Sequence, residues 1–287
     1  MPKVVDAVGA QSPRPSDIIV VHSGPDDPTE ALRRTNPRVR VIHRDDRVWA
    51  GAARNLGLAL VKTRWVVFID SDVVPAADWL ASLVAAAGAS PDRFVVGSVG
   101  YAAAGGYWGL CLWTIEFSGV HPYLPDGERE GGASANMLVP TDAIRRVGGF
   151  PAGFAAGEDA FLAARLREIG LTNWFCAAAR VDHFNKRGLR HCLGHLLWLG
   201  RWSAVNRRVH ALRGASAVKF WPFAAGLWLA KLCITYYRGL RWGRGYRLKL
   251  LALAPGVLVG ELAWNLGFFL SLWQGLKPIS AANKKPE

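Results

Sequence analysis

The chain has 287 residues, of which 51% are hydrophobic, and a formal net charge of +13. Four separated cysteines without a Cys-x-x-Cys motif argue against a disulfide framework, and the amino-terminal residues lack the apolar run of a signal peptide. These features predict one large domain, or a domain with an appendage, in a reducing cytosolic compartment. The excess positive charge lies in one region, because residues 186–249 contain fourteen Lys or Arg and no Asp or Glu.

Strand and helix patterns alternate along the first 180 residues. We predict helices at residues 1–11, 29–34, 51–60, 78–87, 141–144 and 160–170, and strands at residues 17–21, 39–42, 65–69, 94–99, 135–140 and 174–178. Alternation at this spacing indicates right-handed βαβ units and an α/β fold with a doubly wound sheet. In residues 100–132 the strand and helix pattern is weaker, and glycine and aromatic residues are frequent. Long loops at such places are often functional.

The most informative stretch is the apolar run from Trp65 to Ile69, which stops on Asp70 and Asp72. Five apolar residues in a row predict a strand that is buried on both faces of a parallel sheet. Ligands bind at the carboxyl ends of such strands. Two carboxylates placed there can hold a hard divalent cation, which in turn can hold a diphosphate. The alternative is an Asp N-cap and a solvated turn before the next helix.

Five motifs follow one another in an order that resembles a known family. They are Gly51-Ala52-Ala53-Arg54-Asn55-Leu56-Gly57, Phe68-Ile69-Asp70-Ser71-Asp72, Gly148-Gly149-Phe150, Gly157-Glu158-Asp159 and Val181-Asp182-His183. In this order, residues 1–190 resemble the catalytic domain of family 2 glycosyltransferases. The resemblance implies a GT-A fold, a Rossmann-like nucleotide-diphospho-sugar transferase sheet. It also implies that a sugar moves, with inversion, from a nucleotide-diphosphate donor to an acceptor hydroxyl.

The resemblance assigns roles to residues at the ends of the predicted strands. Asp70 and Asp72 are expected to bind Mg²⁺ or Mn²⁺, which neutralises the leaving diphosphate, and Asp70 is also a candidate for contact with the ribose. His183 is expected to complete the metal sphere or to face the diphosphate, although a lone histidine is often structural. Arg54 and Asn55 either contact the nucleotide or fix their helix.

The motif Glu158-Asp159 supplies the candidate base. A carboxylate beside another carboxylate can have a raised pKa, which suits proton abstraction near neutral pH. We therefore predict Asp159 as the base, with Glu158 beside it. The alternative is that both acids only favour the dipole of the helix that they begin. Asn136 corresponds to a family position near the sugar or the acceptor.

The start of the chain departs from the family pattern. Family members begin with an apolar strand that holds the nucleotide base, whereas this chain begins with the helix that follows it. His22 and Ser23 also stand where the family has an acidic residue at the end of the next strand. We expect the sheet to lack one element, so that either the start is misassigned or truncated, or donor binding is altered.

The basic region, residues 191–287, contains two apolar segments at 220–237 and 248–273. Each is long enough to span a bilayer, but two spans would place four arginines outside, against the positive-inside tendency. We therefore predict helices that lie in the cytoplasmic face of the membrane, peripheral or re-entrant, next to anionic lipid. A pair of core helices in a soluble domain and a nucleic-acid-binding patch are the alternatives, and we expect no nucleic acid.

These features together predict a membrane-associated transferase. Its acceptor is expected to be a glycan or a lipid-linked acceptor of the cell envelope. The second hypothesis is a catalytically inactive, transferase-like membrane scaffold, which the missing first strand favours.

Overall fold

The computed structural model describes residues 1–210, 212 and 214–279. These residues form two compact units. The first unit contains Met1–Val99, Asp126–Asp182 and Ile279, and the second contains Gly100–Pro125 and His183–Pro278. Residues 100–125 therefore cluster with the carboxyl-terminal helices, whereas the sequence assigned them to the 1–190 domain.

Strands and helices alternate through the first unit, and helices make up most of the second. In chain order the elements are α1 (Pro2–Gly9), β1 (Ile18–Ser23), α2 (Thr29–Thr35), β2 (Val39–Arg44), α3 (Ala50–Leu58), β3 (Trp65–Ile69), β4 (Val73–Pro75), α4 (Trp79–Gly88), β5 (Arg93–Tyr101), α5 (Gly106–Glu116), β6 (Gly127–Glu128), β7 (Asn136–Pro140), α6 (Thr141–Arg146), α7 (Glu158–Glu168), β8 (Thr172–His183), α8 (Leu189–Val209), α9 (Ser216–Lys219), α10 (Trp221–Trp242), a 3₁₀ turn (Arg244–Tyr246), α11 (Arg247–Ala252) and α12 (Ala254–Gln274). The predicted α/β class is confirmed.

The strands divide between two sheets. β1 and β2 form a two-stranded parallel sheet, in register from Ile18 opposite Val39 to Ser23 opposite Arg44. The other six strands form a second sheet in the order β3-β7-β5-β8-β4, with β6 paired to β8. Val95, Val96, Met137 and Leu138, at its centre, are fully buried or nearly so.

The environment predicted for the run Trp65–Ile69 is wrong. β3 lies at the end of the larger sheet and pairs antiparallel with β7, from Trp65 opposite Pro140 to Ile69 opposite Asn136. Val66 and Phe68 are buried, while the other three residues are only partly covered. The apolar run is thus a strand with one face in the core and, in the part of the chain that the structure describes, with a paired strand on one side only.

Two element boundaries near the site also differ from the sequence prediction. α7 begins at Glu158 and not at residue 160, since Gly157 takes a left-handed conformation (φ +78°) that starts the helix immediately after it. β8 has 12 residues and not five, because alternate residues as far as Val181 continue to face the core. Glu158 and Asp159 therefore lie in a helix, and Asp182 and His183 lie in a strand.

In the second unit, α8 and α12 pack in backbone contact. A Cβ at Gly200 would overlap the carbonyl of Trp264, and a Cβ at Gly267 would overlap that of Leu197. α5 packs against the same pair, and its residue Cys111 shares a buried apolar cluster with them. The predicted segment 248–273 is broken between α11 and α12, where Pro255 occupies the first turn of the second helix.

Candidate active site

Arg54 is at the centre of the candidate site in the first unit. Its Nη2 lies 2.6 Å from Oδ1 of Asp70 and its Nη1 lies 2.6 Å from Oε1 of Glu158. Burial alone would lower the pKa of Arg54, but the two carboxylates outweigh that effect and raise it. The Arg54 guanidinium therefore joins the end of β3 to the start of α7, and its removal would leave Glu158 buried without this ion pair.

The position of Arg54 is fixed by its neighbour Asn55. The Asn55 side chain accepts a hydrogen bond from the Phe150 N–H and donates one to the Phe150 carbonyl, both at 2.9 Å. Gly149 has φ +75°, and a Cβ there would come within 2.5 Å of the Asn55 oxygen. The amide therefore holds the glycine loop against α3. This is the helix-fixing role that the sequence left open, and the predicted contact with a nucleotide stays a prediction.

Glu158 and Asp159 occupy the first turn of α7. Glu158 is 5% exposed and bound to Arg54. The Asp159 carboxylate accepts hydrogen bonds from the Ala160 N–H at 2.7 Å and from the Ser134 N–H at 3.3 Å. Burial, followed by the nearby charge of Glu158, raises the pKa of Asp159 to about 7, against the opposing effect of Arg54. A carboxylate in this state can take a proton near neutral pH.

Asp70 and Asp72 lie where the sequence predicts them, directly after β3. Asp70 keeps about a third of its side chain exposed beside Arg54, and Asp72 is exposed. His183 belongs to the second unit, where its Nδ1 lies 3.1 Å from Oδ1 of Asn185 and its ring contacts Phe117. The shared metal role of these three residues stays a prediction.

Asn136 lies within the sheet. It is fully buried, and its amide donates to the carbonyls of Ser98 at 2.9 Å and Ala179 at 2.7 Å. The Trp79 indole donates to its oxygen at 2.8 Å. Asn136 therefore ties β7 to two other strands and to α4. A contact between this side chain and a donor or acceptor would require those strands to open.

The charge around Arg54 suits a cation with oxygen ligands. Asp70, Glu158 and Asp159 provide three carboxyl groups against one guanidinium, and Asp72 adds a fourth near the end of β3. Mg²⁺ commonly binds one or two carboxylates together with substrate phosphates and waters. Within residues 1–210, 212 and 214–279, no group of three or more His, Cys, Asp or Glu side chains gathers as a metal site. The protein alone thus offers Asp70 and Asp72, and the other ligands would come from the donor and from water.

Two contributors to the site escaped the sequence prediction. The Phe150 ring lies 5.4 Å from the Arg54 guanidinium carbon, and its backbone holds Asn55. The Ser134 N–H binds Asp159 across 25 positions of sequence. The Gly148-Gly149-Phe150 motif marks the first contribution, but a backbone donor such as that of Ser134 leaves no signature in residue type.

Residues 1–147 match the family model described as "Glycosyl transferase family 2". The pre-mycofactocin glycosyltransferases of two Mycobacterium tuberculosis strains, CDC 1551 / Oshkosh and ATCC 25618 / H37Rv, are each 30% identical to this chain over 202 residues. The match covers 64% of this chain and 40% of theirs, so the chain spans well under half the length of these relatives.

Among solved structures, the mannosyltransferase PcManGT from Pyrobaculum calidifontis, in complex with GDP-Man and Mn²⁺, aligns with a TM-score of 0.57. The alignment covers 95% of this chain and 83% of that one at 17% identity, which shows a shared fold. The predicted GT-A fold is therefore confirmed. The family match extends over more than half of the chain and includes Arg54, Asn55, Asp70 and Asp72. This chain belongs to glycosyl transferase family 2.

Proposed function

We propose that this chain transfers a sugar from a nucleotide-diphosphate donor to an acceptor hydroxyl, with inversion and with help from Mg²⁺ or Mn²⁺. The observation that carries the proposal is the arrangement around Arg54, which bridges Asp70 and Glu158 next to Asp159. Burial and the charge of Glu158 raise the pKa of Asp159, as a base requires. Family membership supports the same reaction class. The names of the M. tuberculosis relatives and the GDP-Man and Mn²⁺ in PcManGT agree with it.

Asp159 acts as the base in this proposal. Its carboxylate removes the proton from the acceptor hydroxyl as the acceptor oxygen bonds to the anomeric carbon. The bond from that carbon to the diphosphate breaks on the opposite side, and the nucleoside diphosphate leaves with the electron pair. A single displacement of this kind inverts the anomeric centre. Glu158 pairs with Arg54 at 2.6 Å, and its nearby charge helps to raise the pKa of Asp159.

Asp70 and Asp72 bind the divalent cation in this proposal. The cation, when bound, neutralises the charge that develops on the leaving diphosphate. Arg54 holds one Asp70 oxygen at 2.6 Å and so orients the carboxylate. Asp72 is exposed in the turn that follows β3.

The second unit supports a place at the cytoplasmic face of the membrane, next to anionic lipid. Large apolar side chains are exposed along its carboxyl-terminal helices: Phe223, Leu229, Tyr237, Leu240, Trp242, Leu248, Leu251, Leu262, Leu266 and Trp273. Among the residues that the structure describes, one helix, α12, is long and apolar enough to cross a bilayer, and half of its most apolar stretch is buried inside the protein. A half-buried helix favours peripheral or re-entrant docking over a free span. An enzyme docked in this way would reach a lipid-linked or envelope glycan as acceptor.

Release of nucleoside diphosphate tests the transfer reaction. The purified protein is incubated with UDP-, GDP- and dTDP-sugars and Mn²⁺, beside the variants Asp72→Ala and Asp159→Asn. The exposed residue Asp92 supplies the matched control Asp92→Asn. We expect one donor class to release its diphosphate, the control to keep that activity, and both site variants to lose at least about 100-fold. No release from any donor would favour the inactive scaffold instead.

A further inference from the structure

Two helices of the second unit begin next to the same short loop. α5 begins at Gly106, and α8 begins at Leu189, directly after the loop of residues 184–188. A Cβ placed at Gly105 would come within 2.8 Å of the Asn185 carbonyl oxygen. The two helices have 11 and 21 residues, so each carries the partial positive charge of a helix amino terminus. Two such termini therefore adjoin this loop.

Neither of these amino termini is capped by a side chain of the described residues. Gly105 and Gly188 are the N-cap residues, and the first turns of both helices contain no acidic residue. α8 instead begins with Leu189, Arg190 and His191. Basic side chains are unfavourable at a helix amino terminus, whereas an anion is favourable there. A bound anion would therefore stabilise both turns.

Three basic side chains extend from the loop and from the start of α8. Lys186 and Arg190 are exposed, and Arg187 donates a hydrogen bond from Nε to the carbonyl of Ala104, two residues before α5. Residues 183–191 contain no Asp or Glu. The segment therefore concentrates positive charge that none of its own residues offsets.

The Asn185 side chain supplies an independent sign that a hydrogen-bond partner is missing. Asn185 is 5% exposed, and its Nδ2 has no acceptor among the described residues, while its Oδ1 lies 3.1 Å from Nδ1 of His183. Asn185 packs against the first turn of α5, since a Cβ at Gly109 would come within 3.5 Å of its Cβ. Buried amide donors without an acceptor are uncommon. A Cβ at Gly106 or Gly188 would meet no described atom within 4 Å, so the space beside both termini is open to a ligand.

We propose that the amino termini of α5 and α8, together with Lys186, Arg187 and Arg190, bind the phosphate group of an anionic lipid. Phosphate oxygens accept hydrogen bonds both from helix N–H groups and from guanidinium groups. Phe184 and Leu189 flank the basic residues and are 42% and 44% exposed, so they can contact the acyl chains next to the phosphate. The lipid as source rests on the proposed place at the membrane, whereas the anion site does not.

Two other sources of phosphate satisfy fewer of these observations. Inorganic phosphate would pair with the N–H groups and the basic side chains, but it would leave Phe184 and Leu189 exposed to water. The leaving diphosphate of a nucleotide would do the same, and it is already neutralised by the cation proposed at Asp70 and Asp72. The exposed apolar pair therefore favours the lipid.

The first test is a calorimetric titration of the full chain in one neutral detergent. The probes are a short-chain phosphatidic acid, the corresponding uncharged diacylglycerol and inorganic phosphate. We expect phosphatidic acid to bind at least about tenfold more tightly than inorganic phosphate, because its acyl chains bury apolar surface, and the diacylglycerol to give no saturable binding. No saturable binding of phosphatidic acid would overturn the site. Equal affinity for the two phosphates, or displacement of the lipid by an equal concentration of a nucleoside diphosphate, would overturn the lipid as its occupant.

Variants separate the charge from the apolar contact. The double variant Lys186→Gln, Arg190→Gln should weaken the binding of phosphatidic acid about 30-fold, because two basic residues no longer face the anionic group. The exposed pair on α2 supplies the matched control Arg33→Gln, Arg34→Gln, which should keep the affinity. Leu189→Ser should weaken the lipid about tenfold and leave inorganic phosphate unchanged. Full affinity in the double variant, or an equal loss in the control, would contradict the site.

These readouts are independent of the proposed reaction. Lipid binding is measured without a sugar donor, so a chain that transfers no sugar would give the same result. A protein that transfers sugar but binds phosphatidic acid equally well with and without Lys186 and Arg190 would lose this site and keep the proposed function.

Discussion

At the scale of single residues, the proton on Asp159 links activity to stability. Burial and the charge of Glu158 raise the pKa of Asp159 to about 7, from the 3.8 that is usual for Asp. The folded state therefore binds more protons than the unfolded state between about pH 4 and pH 7. Because stability falls with rising pH wherever the folded state binds more protons, ionised Asp159 destabilises the fold at neutral pH.

This linkage predicts that Asp159→Asn stabilises the protein while it abolishes transfer. The amide oxygen of Asn can still accept a hydrogen bond from the Ala160 or Ser134 N–H. The Asn side chain carries no charge, so folding no longer buries an ionised carboxylate at this position. We expect a Tm above that of the wild type at pH 8, by roughly 2–4 °C for each kcal/mol that the substitution adds to the free energy of unfolding. The difference should shrink as the pH falls from 7 towards 4, because the unfolded chain then begins to bind the proton that folded Asp159 already holds.

Thermal unfolding from pH 4 to pH 8 checks this expectation, with Asp92→Asn as the control at an exposed loop position. The control should follow the wild-type curve at every pH. A Tm for Asp159→Asn that lies below the wild type by the same amount across the whole range would show that the carboxylate is ionised and stabilising. The role of Asp159 as a base with a raised pKa would then be wrong.

At the scale of elements, the sequence predicted most strands and helices but not their neighbours. The run Trp65–Ile69 is a strand as predicted, yet it pairs antiparallel at the end of its sheet. Apolar periodicity predicts which residues of a strand are buried, but it does not predict which strands pair with each other in the sheet.

The candidate site shows a similar division. Arg54, Asp70, Glu158 and Asp159 were all named from motifs, because charged residues at strand and helix ends are visible in sequence. Their pairing was not predicted, since the Arg54–Glu158 contact joins residues 104 positions apart. Asn136 was placed at the site by resemblance, whereas the buried carbonyls of Ser98 and Ala179 hold it inside the sheet.

Because α8 and α12 are in backbone contact at Gly200, we expect the addition of a single methyl group there to lower the stability of the protein strongly. A methyl group at Gly200 would meet the Trp264 carbonyl, which is backbone and cannot rotate away. We expect Gly200→Ala to destabilise the protein by about 1–3 kcal/mol, the usual cost of overpacking. Chemical denaturation, followed through the tryptophan fluorescence, measures this difference.

Gly194 provides a matched control on the same helix. A Cβ there has no atom within 4 Å among the described residues, and the position is exposed. Gly194→Ala should be stabilising by about 0.5–1 kcal/mol, because alanine favours the helix. Equal destabilisation by both substitutions would contradict the close packing of the two helices and point to a general effect on α8.

At the scale of the whole molecule, charge and exposed apolar surface are concentrated in the second unit. Residues 186–249 contain fourteen basic and no acidic residues, while the rest of the chain is close to neutral. The exposed Leu248, which is 83% accessible, lies between two of these basic residues, Arg247 and Lys249. Basic and apolar side chains that are interleaved in this way match an anionic bilayer surface, where each Lys or Arg contributes about 1 kcal/mol.

We therefore predict that the protein binds vesicles that contain an anionic lipid, and that Arg244 and Lys249 contribute to the affinity. Both side chains are exposed. The double variant Arg244→Gln, Lys249→Gln should lower the partition coefficient about 30-fold at low salt, which corresponds to about 2 kcal/mol. The matched control removes two exposed charges from α2 in the first unit, Arg33→Gln and Arg34→Gln, and should keep most of the binding.

Sedimentation with vesicles, with and without anionic lipid and at increasing salt, separates docking at the surface from insertion. Docking through charge and exposed side chains weakens as salt screens the basic residues, and alkaline carbonate releases the protein. Insertion of α12 as a span would instead resist both treatments and would tolerate neutral lipid. An equal loss of binding in the α2 control would show that net charge alone drives the association. The exposed apolar helices would then have to be covered in another way, for example by a second copy of the chain.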